Sequence, residues 1–293
     1  MTSVVDPNGT PLARLLVQCP DRPGIVAAVS TFLFQHGANI MQADQYSTAG
    51  NDPRFFLRIE FQTGAFDRPL EEIGSMFGAE IGARFEMEWR LAAVRPPRVA
   101  ILASNTDHCL LELLWRWRRG ELPIEIPLVI ANHETLRADV EAFGIPYHML
   151  PVTPSTRAKQ EAAVRALLRE AGVELVVLAR YMQILSGEFI DEYPARIINI
   201  HHSVLPAFAG ADPYGRAFER GVKIIGATAH YATEVLDEGP IIEQDVVRVT
   251  HRDGRADLVR LGREVERSVL ARAVQWHIED RVFVHENRTV VFR

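Results

Sequence analysis

The chain has 293 residues, about two domains at roughly 150 residues each. Hydrophobic residues make up 47% and charged residues 24%, ordinary globular values that exclude a disordered or fibrous main state. The net charge of −6 argues against work on a phosphate backbone, which needs a basic face, so no nucleic-acid partner is expected.

In chain order, Leu12 to Cys19 reads as a strand broken by Pro20-Asp21-Arg22-Pro23-Gly24. Ile25 to Gln35 carries Ile25, Val26, Val29, Phe32 and Leu33 at helical spacing, and His36-Gly37 supplies the stop. Asn39 to Ser47 and Arg54 to Gln62 read as strands. In the second, Phe55, Leu57, Ile59 and Phe61 alternate with Phe56, Arg58 and Glu60, which predicts one packed face and one more polar face. Leu70 to Phe77 reads as a short helix and Arg84 to Leu91 as the closing strand, giving βαββαβ. The break comes at Val94-Arg95-Pro96-Pro97-Arg98, because adjacent prolines remove two donors and disfavour helix before them.

Beyond it, strands at Arg98 to Ala103, Ile124 to Ala131, Tyr147 to Leu150 and Val173 to Ala179 alternate with helices at Cys109 to Arg118, Glu134 to Phe143 and Thr156 to Ala171. That alternation predicts a mostly parallel sheet covered on both faces, with ligands at the carboxyl ends of its strands. Ala256 to Ile278 reads as a long helix with Leu258, Leu261, Val265, Val269 and Leu270 on one stripe. Arg281 to His285 and Thr289 to Phe292 read as a closing hairpin. No stretch approaches the ~20 apolar residues of a membrane span, and Met1 to Thr10 has no signal-peptide pattern, so a cytoplasmic chain with no membrane partner is expected. Cys19 and Cys109 lie outside any Cys-x-x-Cys pair, and both are expected as buried thiols.

Cys19-Pro20-Asp21-Arg22-Pro23-Gly24-Ile25-Val26, with Gly37-Ala38-Asn39-Ile40 after the helix, resembles the ACT domain, a small ligand-sensing module of amino-acid metabolism. The resemblance implies a ferredoxin-like βαββαβ fold over residues 1–94, an amino-acid effector and pairing of copies into a homo-oligomer, dimer or tetramer. Asp21, Gly24 and Asn39 are the candidate effector residues. Gly24 leaves helix N-terminal donors open to a carboxylate; the other reading is that Asp21 and Gly24 only shape a turn.

The segment Asn199-Ile200-His201-His202-Ser203-Val204-Leu205-Pro206 follows a short β-branched run. Asn199 and His201, two apart, project the same way if the strand continues through them. An amide beside an imidazole suits a carbonyl oxygen on which negative charge builds. Thirty-six residues beyond His201, Asp237 stands in a loop that ends Glu238-Gly239-Pro240-Ile241-Ile242. A carboxylate beside the imidazole holds it charged and moves a proton. Asn-x-His followed by Asp before Gly-Pro-Ile-Ile resembles the folate-dependent formyltransferase family over most of residues 98–250, which implies a Rossmann-like α/β catalytic domain over residues 98–293. Ala179-Arg180-Tyr181-Met182-Gln183-Ile184-Leu185 resembles that family's pterin-pocket loop.

Ala103-Ser104-Asn105-Thr106-Asp107-His108 has none of the glycines that a phosphate-binding loop uses after the first strand, which disfavours a phosphorylated acceptor. Members that formylate initiator tRNA carry a basic C-terminal domain. The order of an ACT domain followed by a formyltransferase fold, with Asp107-His108-Cys109-Leu110, Leu150-Pro151-Val152-Thr153-Pro154, His201-His202 and Pro206-Ala207-Phe208-Ala209-Gly210-Ala211-Asp212-Pro213-Tyr214, is similar to the formyltetrahydrofolate deformylase branch. Asp212 departs from it and leaves the charge at the entrance open.

The resemblance implies hydrolysis of 10-formyltetrahydrofolate to tetrahydrofolate and formate, with the folate as substrate and neither cofactor nor metal. His201, His202 and His230 lack a ligand set with carboxylates at fixed spacing. Asn199, His201 and Asp237 are the candidate catalytic residues, with Asp237 taking the water proton directly or through His201. Arg180, Tyr181, Met182, Ile184, Leu185, His202, His230 and Gly239 are the candidate substrate-binding residues. His202 either holds the water or serves as a hydrogen-bonded neighbour. Formyl transfer to an amine acceptor and a non-catalytic folate- or amino-acid-binding regulator are the competing readings.

Overall fold

The computed structural model describes Asp6, residues 8–207 and residues 212–293. The chain divides into two compact units. One takes the residues up to Pro96 with Glu279–Phe283 and Val290–Arg293; the other takes Pro97–Ile278 with Val284–Thr289. The division at Pro96 and Pro97 falls on the proline pair. The chain's last residues, placed by the sequence reading in the second domain, group instead with the first unit.

The first unit contains β1 (Leu12–Pro20), α1 (Ile25–Gln35), β2 (Asn39–Ser47), β3 (Arg54–Gln62), α2 (Leu70–Phe77), a π turn at Gly78–Gly82, α3 (Ala83–Phe85) and β4 (Glu88–Ala93). Its antiparallel sheet has the order β2-β3-β1-β4. Ala13, Leu15, Val17 and Cys19 alternate inward on β1 and join Val29, Phe32 and Leu33 of α1 and Ile73 and Phe77 of α2 in one core. At roughly 1.5–3 kcal/mol per buried large apolar side chain, this stripe holds the helices to the sheet.

Two expectations are corrected here. The second face of β3 is buried, not polar: Arg58 donates to the Glu279 carbonyl at 2.9 Å and to Glu60 at 2.9 Å, and Phe56 meets Phe283 edge to face at 5.6 Å. The closing strand starts at Glu88 rather than Arg84. A Cβ on Gly78 or Gly82 would lie 2.8 or 2.9 Å from Trp89, so these glycines let helical backbone run on beneath the indole.

The second unit contains β5 (Val99–Ala103), α4 (His108–Arg118), β6 (Val129–Ala131), α5 (Arg137–Glu141), β7 (Tyr147–Met149), α6 (Arg157–Glu170), β8 (Leu175–Ala179), α7 (Gly187–Glu192), β9 (Ile197–His201), α8 (Pro213–Arg220), β10 (Ile224–Tyr231), β11 (Ile241–Arg248) and α9 (Arg255–Ile278). The sheet order is β11-β10-β9-β8-β5-β6-β7. β9, β8, β5, β6 and β7 pair in parallel, and β10 and β11 are antiparallel. Every residue of β5 and β8 is buried, as strands covered on both faces require.

β6 is shorter than expected because Pro127 has no N–H for a ladder; before Val129 only a bridge between Arg98 and Glu125 remains. A two-stranded hairpin, β12 (Val282–His285) and β13 (Arg288–Val291), ends the chain. Cys19 and Cys109 are free and buried. Among the described residues no helix is long and apolar enough to cross a membrane.

Candidate active site

β9 runs through His201, so Asn199 and His201 share a face, and β10 places His230 directly opposite Asn199. His201 and Asp237 meet with Nδ1 and Oδ2 3.2 Å apart, their side chains only 7% and 9% exposed. Asp237 lies at φ 60 in the loop between β10 and β11. Gly239 closes that loop against the Tyr231 carbonyl, where a Cβ would stand 1.8 Å from the oxygen. The segment after β9 is pinned by Thr228, whose hydroxyl donates to the Ser203 carbonyl at 2.8 Å and accepts from the Leu205 N–H at 3.0 Å.

The hydrogen-bond chain assigns each ring nitrogen. His230 Nδ1–H donates to the Tyr231 carbonyl at 2.9 Å, so its Nε2 accepts from the Asn199 amide at 3.1 Å. One Asn199 N–H is therefore committed and the other is available. Burial holds His230 below its ordinary value and keeps it neutral, though its Tyr231 bond and Asp237 at 3.8 Å pull the other way. Burial works to raise the Asp237 carboxyl, but the hydrogen bond and charge of His201 outweigh it and leave the group lowered and ionised. His201 Nε2 is buried with no partner among the described residues. An amide N–H, an imidazole nitrogen and a carboxylate backing that imidazole thus converge from two segments, β9 and the loop between β10 and β11. This is a geometry for proton transfer beside a stabilised oxyanion.

The remaining candidates divide. His202 is half-buried, its ring 5.3 Å from that of His201 and 5.7 Å from that of Tyr214. Burial, then the Arg180 charge, lowers it to about 4, so it is neutral at pH 7. In the loop after β8, Met182 and Ile184 are exposed, while Tyr181 and Leu185 pack into the core. The Tyr181 hydroxyl accepts from Gln160 at 2.7 Å. His230 and Gly239 are buried as supports of Asn199 and of the Asp237 loop, rather than lining an open surface.

A formyl transferase family model matches residues 97–274, and an ACT domain model matches residues 13–75. The formyltetrahydrofolate deformylase of Bacillus subtilis is 55% identical over 95% of this chain and 93% of its own, and that of Escherichia coli is 41% identical over 93% and 95%. The chain belongs to the formyltetrahydrofolate deformylase family. A crystal structure of a formyltetrahydrofolate deformylase from Pseudomonas syringae superposes with a TM-score of 0.94 at 48% identity, covering 97% of this chain and 95% of that one. A glycinamide ribonucleotide transformylase from Symbiobacterium toebii superposes at 0.64 with 32% identity, covering 68% of this chain and 95% of that one.

Within this deformylase-family chain, the sequence reading missed Glu266. Only 1% exposed on α9, it accepts from Tyr214 at 2.6 Å and His108 at 2.9 Å, with Arg180 Nη1 3.4 Å away. Burial opposes its charge, yet His108, Arg180 and Tyr214 together hold the carboxyl below its ordinary range. A Cβ on Gly262 would lie 2.0 Å from the Tyr214 hydroxyl, so this glycine makes room for the phenol.

His108, Cys109 and Glu266 bring three potential metal-ligand atoms within 4.8 Å. Both Glu266 oxygens already accept hydrogen bonds, and burial pushes the Cys109 thiol well up, so the cluster is better suited to internal hydrogen bonding than to holding a cation. Asp212, whose charge the sequence left open, caps α8 and pairs with Arg255 at 2.6 Å. Phe208-Ala209-Gly210-Ala211, part of the string that resembles the family, lies outside the described residues. In the first unit Asp21, Gly24 and Asn39 are exposed. Gly24 takes φ 95 before α1 with no side-chain cap, and Asn39 donates to Gln62 at 2.8 Å.

Proposed function

We propose that the chain hydrolyses 10-formyltetrahydrofolate to tetrahydrofolate and formate. The observation that carries the residue assignment is the His201–Asp237 contact, with the opposite imidazole nitrogen unpartnered among the described residues. Asp237 accepts from His201 Nδ1–H, which leaves a lone pair on Nε2 to take a proton from water as its oxygen attacks the formyl carbon. The free Asn199 N–H stabilises the oxyanion. The imidazolium, held by Asp237, then gives its proton to N10 as the carbon–nitrogen bond breaks. Formic acid leaves and ionises to formate. Of the two routes open in the sequence, this geometry favours the one through His201, because Asp237 Oδ2 is already engaged with that ring.

The exposed Met182 and Ile184, with the backbone of residues 180–185, form the folate-facing loop in this reading. The scheme draws only on protein groups and water, the folate being substrate rather than cofactor. Asp21, Gly24 and Asn39 are assigned to an amino-acid effector. β2, at one edge of its sheet, is assigned to pairing between copies of a cytoplasmic homo-oligomer.

The test is turnover in H2(18)O with no amine present. One labelled oxygen in each formate, with tetrahydrofolate formed in equal amount, is expected. Formyl transfer that requires an added amine, or folate binding without turnover, would revive the competing readings.

A further inference from the structure

A cavity of about 280 Å3 opens beside the catalytic set, lined among others by His108, Arg180, His202, Tyr214, Arg263 and Glu266. His202 joins the two places, since it lines the cavity and its ring lies 5.3 Å from that of His201. Formate occupies little more than one water's share of liquid volume, ~30 Å3, so the cavity holds it with several waters.

Arg180 is the unusual residue here. It stands at φ 62, a left-handed conformation that glycine adopts without strain, yet a long cationic side chain is placed there. Its Nε and Nη1 are buried and have no hydrogen-bond partner among the described residues, and His108 Nδ1 is in the same condition. Glu266 offsets charge without using up these donors. Its two oxygens already accept from Tyr214 and His108, and Arg180 Nη1, 3.4 Å away, makes an ion pair that is not a hydrogen bond. Two guanidinium groups, Arg180 and Arg263, therefore face one carboxylate, because Asp212 is held by Arg255. Buried N–H groups with no acceptor call for one, and a planar guanidinium fits a carboxylate through two parallel hydrogen bonds.

We propose that this cavity receives formate, the carboxylate product, on the guanidinium of Arg180. The proposal rests on the hydrolytic reading above and names the place where its smaller product is held.

The test is a titration of [13C]formate into the enzyme saturated with tetrahydrofolate, read by broadening of the formate NMR signal, alongside inhibition of turnover by formate at constant ionic strength. Wild type should bind formate, with at least tenfold weaker binding in Arg180→Met and an intermediate affinity in Arg180→Lys. Glu266→Gln, which removes the opposing charge but keeps the shape, should bind it several-fold more tightly. If Arg180→Met does not fold, the opposite shifts expected of Arg180→Lys and Glu266→Gln decide the matter. Equal formate binding in all variants would overturn the proposal. So would displacement of formate by p-aminobenzoylglutamate, which would assign the cavity to the substrate's own carboxylates. Turnover without formate binding sinks this proposal alone, whereas a wild type that releases no formate sinks the hydrolytic reading.

Discussion

Asp237→Asn isolates the role of the carboxylate from its shape. In wild type the His201–Asp237 contact is 3.2 Å and nearly dry, the side chains being 7% and 9% exposed. At an effective dielectric of about 20, a unit charge pair at that distance is worth about 5 kcal/mol, all of which acts once His201 takes a proton. Residual solvent access lowers this, and about 4 kcal/mol, or roughly a thousandfold in kcat, is the expected loss. An asparagine amide can also donate to Nδ1, which moves the imidazole proton to Nε2 and removes the base outright. Because Asp237 touches His201 rather than the loop at 180–185, KM should stay within about threefold. Initial rates of formate release across substrate concentration separate the two constants, with circular dichroism as the check on folding. A kcat within tenfold of wild type in a folded variant would refute the assignment.

Asn199→Ala should lower kcat a few hundred-fold, about 3–4 kcal/mol, as loss of one oxyanion donor does, measured in the same assay. His202 is lowered to about 4, so between pH 6.5 and 4 the unfolded chain binds a proton there that the folded chain refuses, and stability falls as pH falls through that window. His202→Asn should therefore lose about 2–3 kcal/mol less than wild type between pH 7 and 4 in urea denaturation; parallel curves would contradict this. Tyr214→Phe removes a buried donor to Glu266 and should cost about 1.5–3 kcal/mol, seen as a lower urea midpoint at unchanged slope. Gly239→Ala sets a Cβ against the Tyr231 carbonyl, must shift the Asp237 loop, and should reduce kcat about a hundredfold, near-normal kcat being the contrary result.

Much of this site was legible because its chemistry sits on short-range pattern. A β-branched run ending in Asn199-Ile200-His201 announces a strand, and period two puts the amide and imidazole on one face. Asp237 was found through its Gly-Pro neighbour, which marks a tight loop. What pattern could not supply was pairing across the chain. That His230 lies opposite Asn199 depends on the register of β10 against β9, which no local signal encodes.

Glu266 was missed because Arg263, Glu264 and Arg267 make its stretch read as a solvated helix face. The signal was the small Gly262 one turn before it: Leu258, Gly262, Glu266 and Leu270 recur at four-residue spacing on the buried side of α9. Leu261 and Val265, which the apolar count put on the stripe, are only partly buried. The polar face expected for β3 failed for a related reason, since the residues that cover it, Glu279 and Phe283, come from the far end of the chain.

The central claim is that Asn199, His201 and Asp237 surround the formyl carbon. A crystal structure with a non-hydrolysable 10-formyl folate analogue tests it most directly. The expected result is the formyl carbon about 3–3.5 Å from the water held by His201 Nε2, with its oxygen accepting from the Asn199 amide. A formyl group lodged elsewhere, with those three side chains facing empty solvent, would contradict the account.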